Sequence, residues 1–153
     1  MTVLRLQYLK RLAKWKDAQI IKVITGIRRC GKSTLLGQFQ AQLRNEGVPE
    51  ERIISINFED LAYEELHSYR ELYAYIKLRL KSSGMNYIFL DEIQRVEQFE
   101  KAVDSLFILD NVDLYITGSN SYFLSGELAT FLSGRYIEIF MQPFSFAEYR
   151  MAF

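Results

Sequence analysis

The sequence predicts an α/β domain built on a mainly parallel sheet, and three observations carry that expectation. Apolar runs of strand length alternate along the chain with runs of helical period. Tyr87 to Leu90 is bulky and apolar at every position, the pattern of a strand covered on both faces. Gly26 to Thr34 fills every fixed position of G-x-x-x-x-G-K-[ST], and it stands between an apolar run, Ile20 to Thr25, and a helix-like run, Thr34 to Arg44. In such sheets the ligand sits at the carboxyl ends of the strands, so polar residues in those places are the ones to examine.

The length of 153 residues suits one domain with a sizeable core. Apolar residues make up 49% and charged residues 25%, which excludes a disordered chain. Lys plus Arg and Asp plus Glu stand at 19 each, so no global basic excess points to nucleic acid, a partner class that stays undecided. No apolar run approaches the length of a membrane span, and residues 1–5 lack a signal-peptide core; the expected setting is the cytoplasm, with no membrane partner. With Cys30 as the single cysteine and His67 as the single histidine, neither an internal disulfide nor a Cys/His zinc site can form.

Taken in order, Leu4, Tyr8, Leu9, Leu12 and Trp15 recur at helical spacing, with Arg5, Lys10, Arg11, Lys14 and Lys16 forming a solvated basic face. Ile20 to Thr25 is the first strand. Leu35, Leu36, Phe39 and Leu43 mark the buried stripe of the helix after it, which Asn45-Glu46-Gly47 stops. Arg52 to Phe58 alternates in part and reads as an edge strand. Leu61 to His67 and Tyr69 to Lys81 read as helices, the second with Leu72, Tyr73, Ile76 and Leu80 inward. Asn86 to Glu92 is the buried third strand. Glu97 to Leu109 is a helix with Phe99, Val103, Leu106 and Phe107 inward, and Val112 to Thr117 is the fourth strand. Leu124, Leu128, Phe131 and Leu132 form a short helix capped by Gly134. Tyr136 to Phe140 alternates and reads as the opposite edge, ended by Pro143. The domain is therefore expected over residues 1–143, with 144–153 beginning a further helix capped by Ser145.

The chemistry lies at three strand ends. Gly26 and Gly31 let the backbone curl so that successive N–H groups face inward as an anion nest, and the helix starting near Lys32 adds its positive end. Lys32 is a point charge for the β- and γ-phosphates of a nucleoside triphosphate, and the Ser33 hydroxyl is placed to hold the Mg2+ that accompanies it. Arg29, Cys30 and Thr34 belong to the same binding loop. The guanidinium groups of Arg28 and Arg29 either pair with phosphate or project to solvent, and projection is favoured; Cys30 packs or lines the loop. At the tip of the third strand, Asp91 is suited to Mg2+ with Ser33, and Glu92 to orienting and deprotonating a water that attacks the γ-phosphate. After the fourth strand, Ser119 or Asn120 is within the same region and suited to bonding that water or the γ-phosphate, although turn chemistry in Thr-Gly-Ser-Asn explains half of the signal.

Residues 24–36, Phe89 to Gln94, Ile116 to Asn120, Leu132 to Arg135 and Pro143 to Tyr149 together resemble the prokaryotic AAA+-type P-loop ATPases that carry a further C-terminal domain of unknown function. That resemblance implies a three-layer P-loop NTPase fold with a five-stranded sheet of order 5-1-4-3-2 and helices on both faces. It implies that Gly26 to Thr34 is the Walker A loop, Asp91 and Glu92 the Walker B pair, and Ser119 or Asn120 sensor 1. Arg135 matches the family's Gly-Arg position, where an arginine acts as a finger toward a nucleotide in its own or a neighbouring subunit. It also implies that family members continue past Phe153 and that the chain is an N-terminal piece. The expectation is an ATPase using ATP and Mg2+, with self-association possible. A binding switch with little turnover and a small-molecule or nucleotide kinase are the alternatives; a glutamate directly after the metal-binding aspartate speaks against both, and no Asn-Lys-x-Asp run favours guanine.

Overall fold

Alternating side chains of five parallel strands face two separate cores, one on each side of the sheet. The computed structural model describes residues 4–119, 123, 132 and 134–143. The strands are β1 (Ile21–Thr25), β2 (Ile53–Asn57), β3 (Asn86–Asp91), β4 (Val112–Gly118) and β5 (Tyr136–Phe140). They are ordered β2-β3-β4-β1-β5, the 5-1-4-3-2 arrangement viewed from its other edge, and every pairing is parallel. The helices are α1 (Leu6–Lys14), α2 (Lys32–Asn45), α3 (Tyr69–Arg79) and α4 (Phe99–Phe107). Among the described residues, no helix is long and apolar enough to cross a membrane.

Burial follows the expected strand roles. β1, β3 and β4 are buried at every position, whereas β2 and β5 alternate, as edge strands with one covered face do. On one face Val23, Ile88, Leu90, Leu114 and Ile116 pack with Leu72 and Ile76 of α3 and Val103 and Leu106 of α4. On the other, Ile24, Phe89, Tyr115 and Ile139 pack with Leu12 of α1 and Leu35, Phe39 and Leu43 of α2. Phe39 is wholly buried against the rings of Phe89 and Tyr115, at 6.3 and 5.2 Å between centroids. Truncating such a side chain typically costs about 3–5 kcal/mol, so the α2 face anchors the helix that carries the phosphate loop. The end of α2 is closed as expected: Gly47 has φ of +97° and its N–H bonds the Arg44 carbonyl, while the Val48 N–H reaches back to that of Leu43.

Two expectations need correction. Leu61 to His67 is not a helix: only a single 3-10 turn, Leu61–Tyr63, forms there, started by the Asp60 carboxylate accepting from the Ala62 N–H at 2.9 Å. The reason lies downstream, where the His67 carbonyl accepts from the Glu97 N–H and the Glu97 carbonyl accepts from the Tyr69 N–H, which pins residues 67–69 in an extended bridge. The same bridge uses the backbone of Glu97, so α4 starts at Phe99. Arg5, assigned to the solvated face of α1, is 4% exposed. The expected helix around 124–132 and the helix from Ser145 lie outside the described residues.

Candidate active site

The carboxyl ends of β1, β3 and β4 meet at one point because register aligns them: Thr25 pairs with Gly118, and Leu90 with Ile116. The loop from Gly26 to Gly31 leaves β1 there and folds back through backbone that most side chains resist. Gly31 has φ of +101°, and Arg29 adopts φ of +65°. At Gly26 a Cβ would come within 2.7 Å of the Met141 carbonyl and 2.8 Å of Cys30 Sγ, so only glycine lets the loop pass this close to the segment after β5. The loop delivers Lys32, Ser33 and Thr34 into the first turn of α2.

A cleft of about 450 Å³ opens over this turn, lined by Arg28, Arg29, Gly31, Lys32, Ser33, Thr34, Glu59 and Glu92. Lys32 is nearly sealed from solvent. Its Nζ donates to the carbonyls of Gly26 and Ile27 at 3.0 and 2.9 Å and lies 3.8 Å from Glu92 Oε1. The Ser33 hydroxyl bonds Asp91 Oδ2, and Thr117 Oγ1 donates to Asp91 Oδ1 at 2.6 Å. Burial pushes the Asp91 carboxyl above the ordinary carboxylate range; the hydroxyls of Ser33 and Thr117 pull it back, Glu92 pushes it further up, and Lys32 opposes that.

Glu92 sits in left-handed backbone, φ 58° and ψ 51°, which turns its side chain off the strand line and into the cleft. Its N–H donates to Thr117 Oγ1 at 2.9 Å, and its Oε2 accepts from Ser119 Oγ at 2.8 Å and from the Gln94 amide. Thr117 thus holds both acids at once, as acceptor for one and donor for the other.

Residues 18–150 match the family profile described as AAA domain. The chain belongs to the AAA domain family. A protein of Haemophilus influenzae is 44% identical to it over 146 residues, covering 95% of this chain and 36% of the relative, so the chain spans about a third of that protein's length. Among solved structures, Cdc6p from Pyrobaculum aerophilum superposes with a TM-score of 0.62 at 12% identity, over 94% of this chain and 46% of that one. A DNA polymerase III gamma subunit-related protein from Thermotoga maritima gives 0.63 at 14% identity, over 97% and 48%. At these identities the likeness concerns the fold, an AAA+ P-loop NTPase core.

Of the residues singled out in the sequence of this AAA domain, Gly31, Lys32, Ser33, Thr34, Asp91, Glu92 and Ser119 are brought together around the cleft, with Gly26 beneath it. Arg29 lines it. Arg28 stands at the rim of the cleft, 67% exposed, with Nη2 2.8 Å from Glu59 Oε2, and Arg95 approaches the same carboxylate at 3.5 Å. Cys30 turns its thiol inward, 2% exposed, so its contribution to the cleft is its peptide group. Asn120 lies outside the described residues. Arg135 is not part of the cleft: its carbonyl bonds the Ile21 N–H, at the opposite end of β1 from Gly26. The length of Ile21–Thr25 separates the two, about 16 Å of strand, well beyond the reach of the side chain. In this structure Arg135 thus stands apart from its own chain's cleft. Sequence reasoning missed Thr117, Gln94 and Glu59. Thr117 had a usable signal, a hydroxyl at the end of an otherwise buried strand; the other two are ordinary polar residues until the fold places them.

Proposed function

We propose that this AAA domain binds ATP with Mg2+ and hydrolyses it. The observation that carries the reading is the contact of Ser33 with Asp91 beside Glu92, at the mouth of a loop built for an anion. The donor set fits the metal. A hydroxyl and one carboxylate, completed by phosphate and water, suit Mg2+, which is seldom held by an all-protein cage, and the raised Asp91 carboxyl is what a nearby cation would restore. Among the described residues no cluster of three or more acidic, His or Cys ligands offers another place. Mg2+ supplies charge neutralisation across the β- and γ-phosphates when bound.

The chain's own residues do the rest. Backbone N–H groups of the loop and the start of α2 hold the phosphates. Lys32 leaves the carbonyls of Gly26 and Ile27 for the phosphate oxygens. Glu92, aimed into the cleft by its left-handed backbone and by Ser119, accepts the proton of the attacking water. A binding switch with little turnover is favoured by one contact, the Gln94 amide donating to Glu92 Oε2, which engages one of the two oxygens that could take a proton. Glu92→Gln separates the two. For an ATPase it leaves ATP affinity within about twofold and lowers steady-state phosphate release by about 10²-fold or more; equal, slow release from parent and variant would support the switch instead. We further propose that the cycle moves a C-terminal part of a longer protein, and that subunits associate so that Arg135 reaches a neighbour's nucleotide.

A further inference from the structure

The guanidinium of Arg5 lies behind the phosphate loop and joins segments far apart in sequence. Nη1 donates to the Cys30 carbonyl and Nη2 to the Gln142 carbonyl, each at 2.8 Å, in a setting that leaves Arg5 4% exposed. The Tyr8 hydroxyl accepts from the Gln142 N–H at 3.2 Å, so both main-chain groups of Gln142 are taken by the start of α1. The Tyr8 ring also lies against the guanidinium, 4.7 Å to the centroid. One residue earlier, the Met141 N–H donates to the Thr25 carbonyl at 2.8 Å, and the Met141 carbonyl is the group that excludes a Cβ at Gly26. Residues 5 and 8 precede the 18–150 span of the family match.

We propose that Arg5 is a positioning residue for the phosphate loop, one that strengthens the loop's hold on phosphate and joins the loop to the chain following β5. The proposal rests on the reading of Gly26 to Thr34 as a nucleotide site. The carbonyl bound by Nη1 belongs to the same peptide unit as the Gly31 N–H, one of the donors expected to face the phosphates. A charged donor on the carbonyl polarises that peptide and makes its N–H a stronger donor. The guanidinium charge, shielded from solvent, also adds to the positive field of the loop, and its effect grows with the charge of the ligand. A lysine cannot replace it, because one compact ammonium does not fork between two carbonyls in fixed geometry.

Titration calorimetry of the full chain with ATP, ADP and AMP tests this in the parent, Arg5→Lys and Arg5→Gln. Arg5→Gln is expected to lose about 10-fold in ATP affinity and distinctly less in AMP affinity, narrowing the ATP-to-AMP ratio, with Arg5→Lys between the two. A folded Arg5→Gln variant whose ratio equals the parent's would overturn the proposal, since a merely structural role lowers all three affinities alike. A parent that binds no ATP overturns the nucleotide reading itself, a separate result visible before any variant is made. Should Arg5→Gln not fold, hydrogen exchange on the parent decides: ATP is expected to slow exchange at the Met141 and Gln142 amides together with the loop, and protection confined to the loop overturns the coupling.

Discussion

A single hydroxyl holds both acids of the cleft in place. Thr117 donates to Asp91 and accepts from the Glu92 N–H, so it sets the orientation of the proposed metal ligand and of the proposed base together. Thr117→Val keeps the shape and removes both bonds. Leaving the buried Glu92 N–H without an acceptor costs about 1–3 kcal/mol, and thermal melting should show that loss. Phosphate release should fall by a larger factor than ATP affinity, because the loop that binds phosphate is untouched. Lys32→Ala is the complementary case: the backbone nest alone must then neutralise the β- and γ-charges, and a fluorescent ATP analogue should show no saturable binding. The loop residues were legible in the sequence because nine consecutive positions carry their own geometry. Arg5 was not, because its partners stand 25 and 137 positions away, and the strand-end hydroxyl of Thr117 was visible without its partner Asp91, 26 positions away, which only the packed sheet brings to it.

The elements themselves were largely legible, since alternation and continuous apolar runs report directly which strand faces are covered. What periodicity cannot show is a buried charge. Lys22 on β1 and Asp113 on β4 are both sealed from solvent and form an ion pair at the end of the sheet away from the cleft. Lys22 also donates to the Ala18 carbonyl at 2.8 Å, and Asp113 Oδ2 accepts from the Asp17 N–H and the Tyr115 hydroxyl, each at 2.9 Å. Asp17, in left-handed backbone, accepts in turn from the Tyr87 hydroxyl at 2.6 Å. The network fixes the turn joining α1 to β1. Burial holds the Lys22 ammonium below its usual 10.5, and Asp113 is what keeps it from falling further. Asp113→Asn removes that support. The folded pKa of Lys22 then lies still further below the unfolded value, folding releases a proton, and stability rises with pH until about 10.5. Urea midpoints at neutral and alkaline pH should therefore diverge more in Asp113→Asn than in the parent. At neutral pH the variant should be less stable by about 3–5 kcal/mol, and a paired Lys22→Met, Asp113→Leu replacement should recover only part of it, because the Asp17 N–H and the Tyr115 hydroxyl lose their acceptor.

At the scale of the whole molecule, the parallel sheet has two ends with different contents. The cleft residues Lys32, Ser33, Asp91, Glu92 and Ser119 gather at the carboxyl ends of the strands, where register aligns Thr25 with Gly118. Strand order was legible only through family resemblance, because parallel neighbours are joined by helices and nothing in a strand's composition names its partner. Arg135 lies at the amino end of β5, exposed, with its guanidinium over the Phe107 ring at 5.6 Å and its charge lowering the Asp104 carboxyl against the upward push of burial. If that ring contact and Asp104 were its whole role, Arg135→Ala would change stability by about 0–1 kcal/mol and leave turnover alone. The expected result is different. Because the side chain cannot reach its own cleft, any effect on phosphate chemistry must cross between subunits. Activity per chain should then rise with protein concentration, and Arg135→Ala should abolish the rise while ATP affinity stays intact. A finger in related phosphoryl transfers is worth about 10³-fold or more, ample to detect. Mixing Arg135→Ala with Glu92→Gln should restore part of the activity, since the first supplies an intact base and the second an intact arginine to its neighbour. Flat activity across concentration, with no gain on mixing, would leave Arg135 as a partner of Asp104 and Phe107 only.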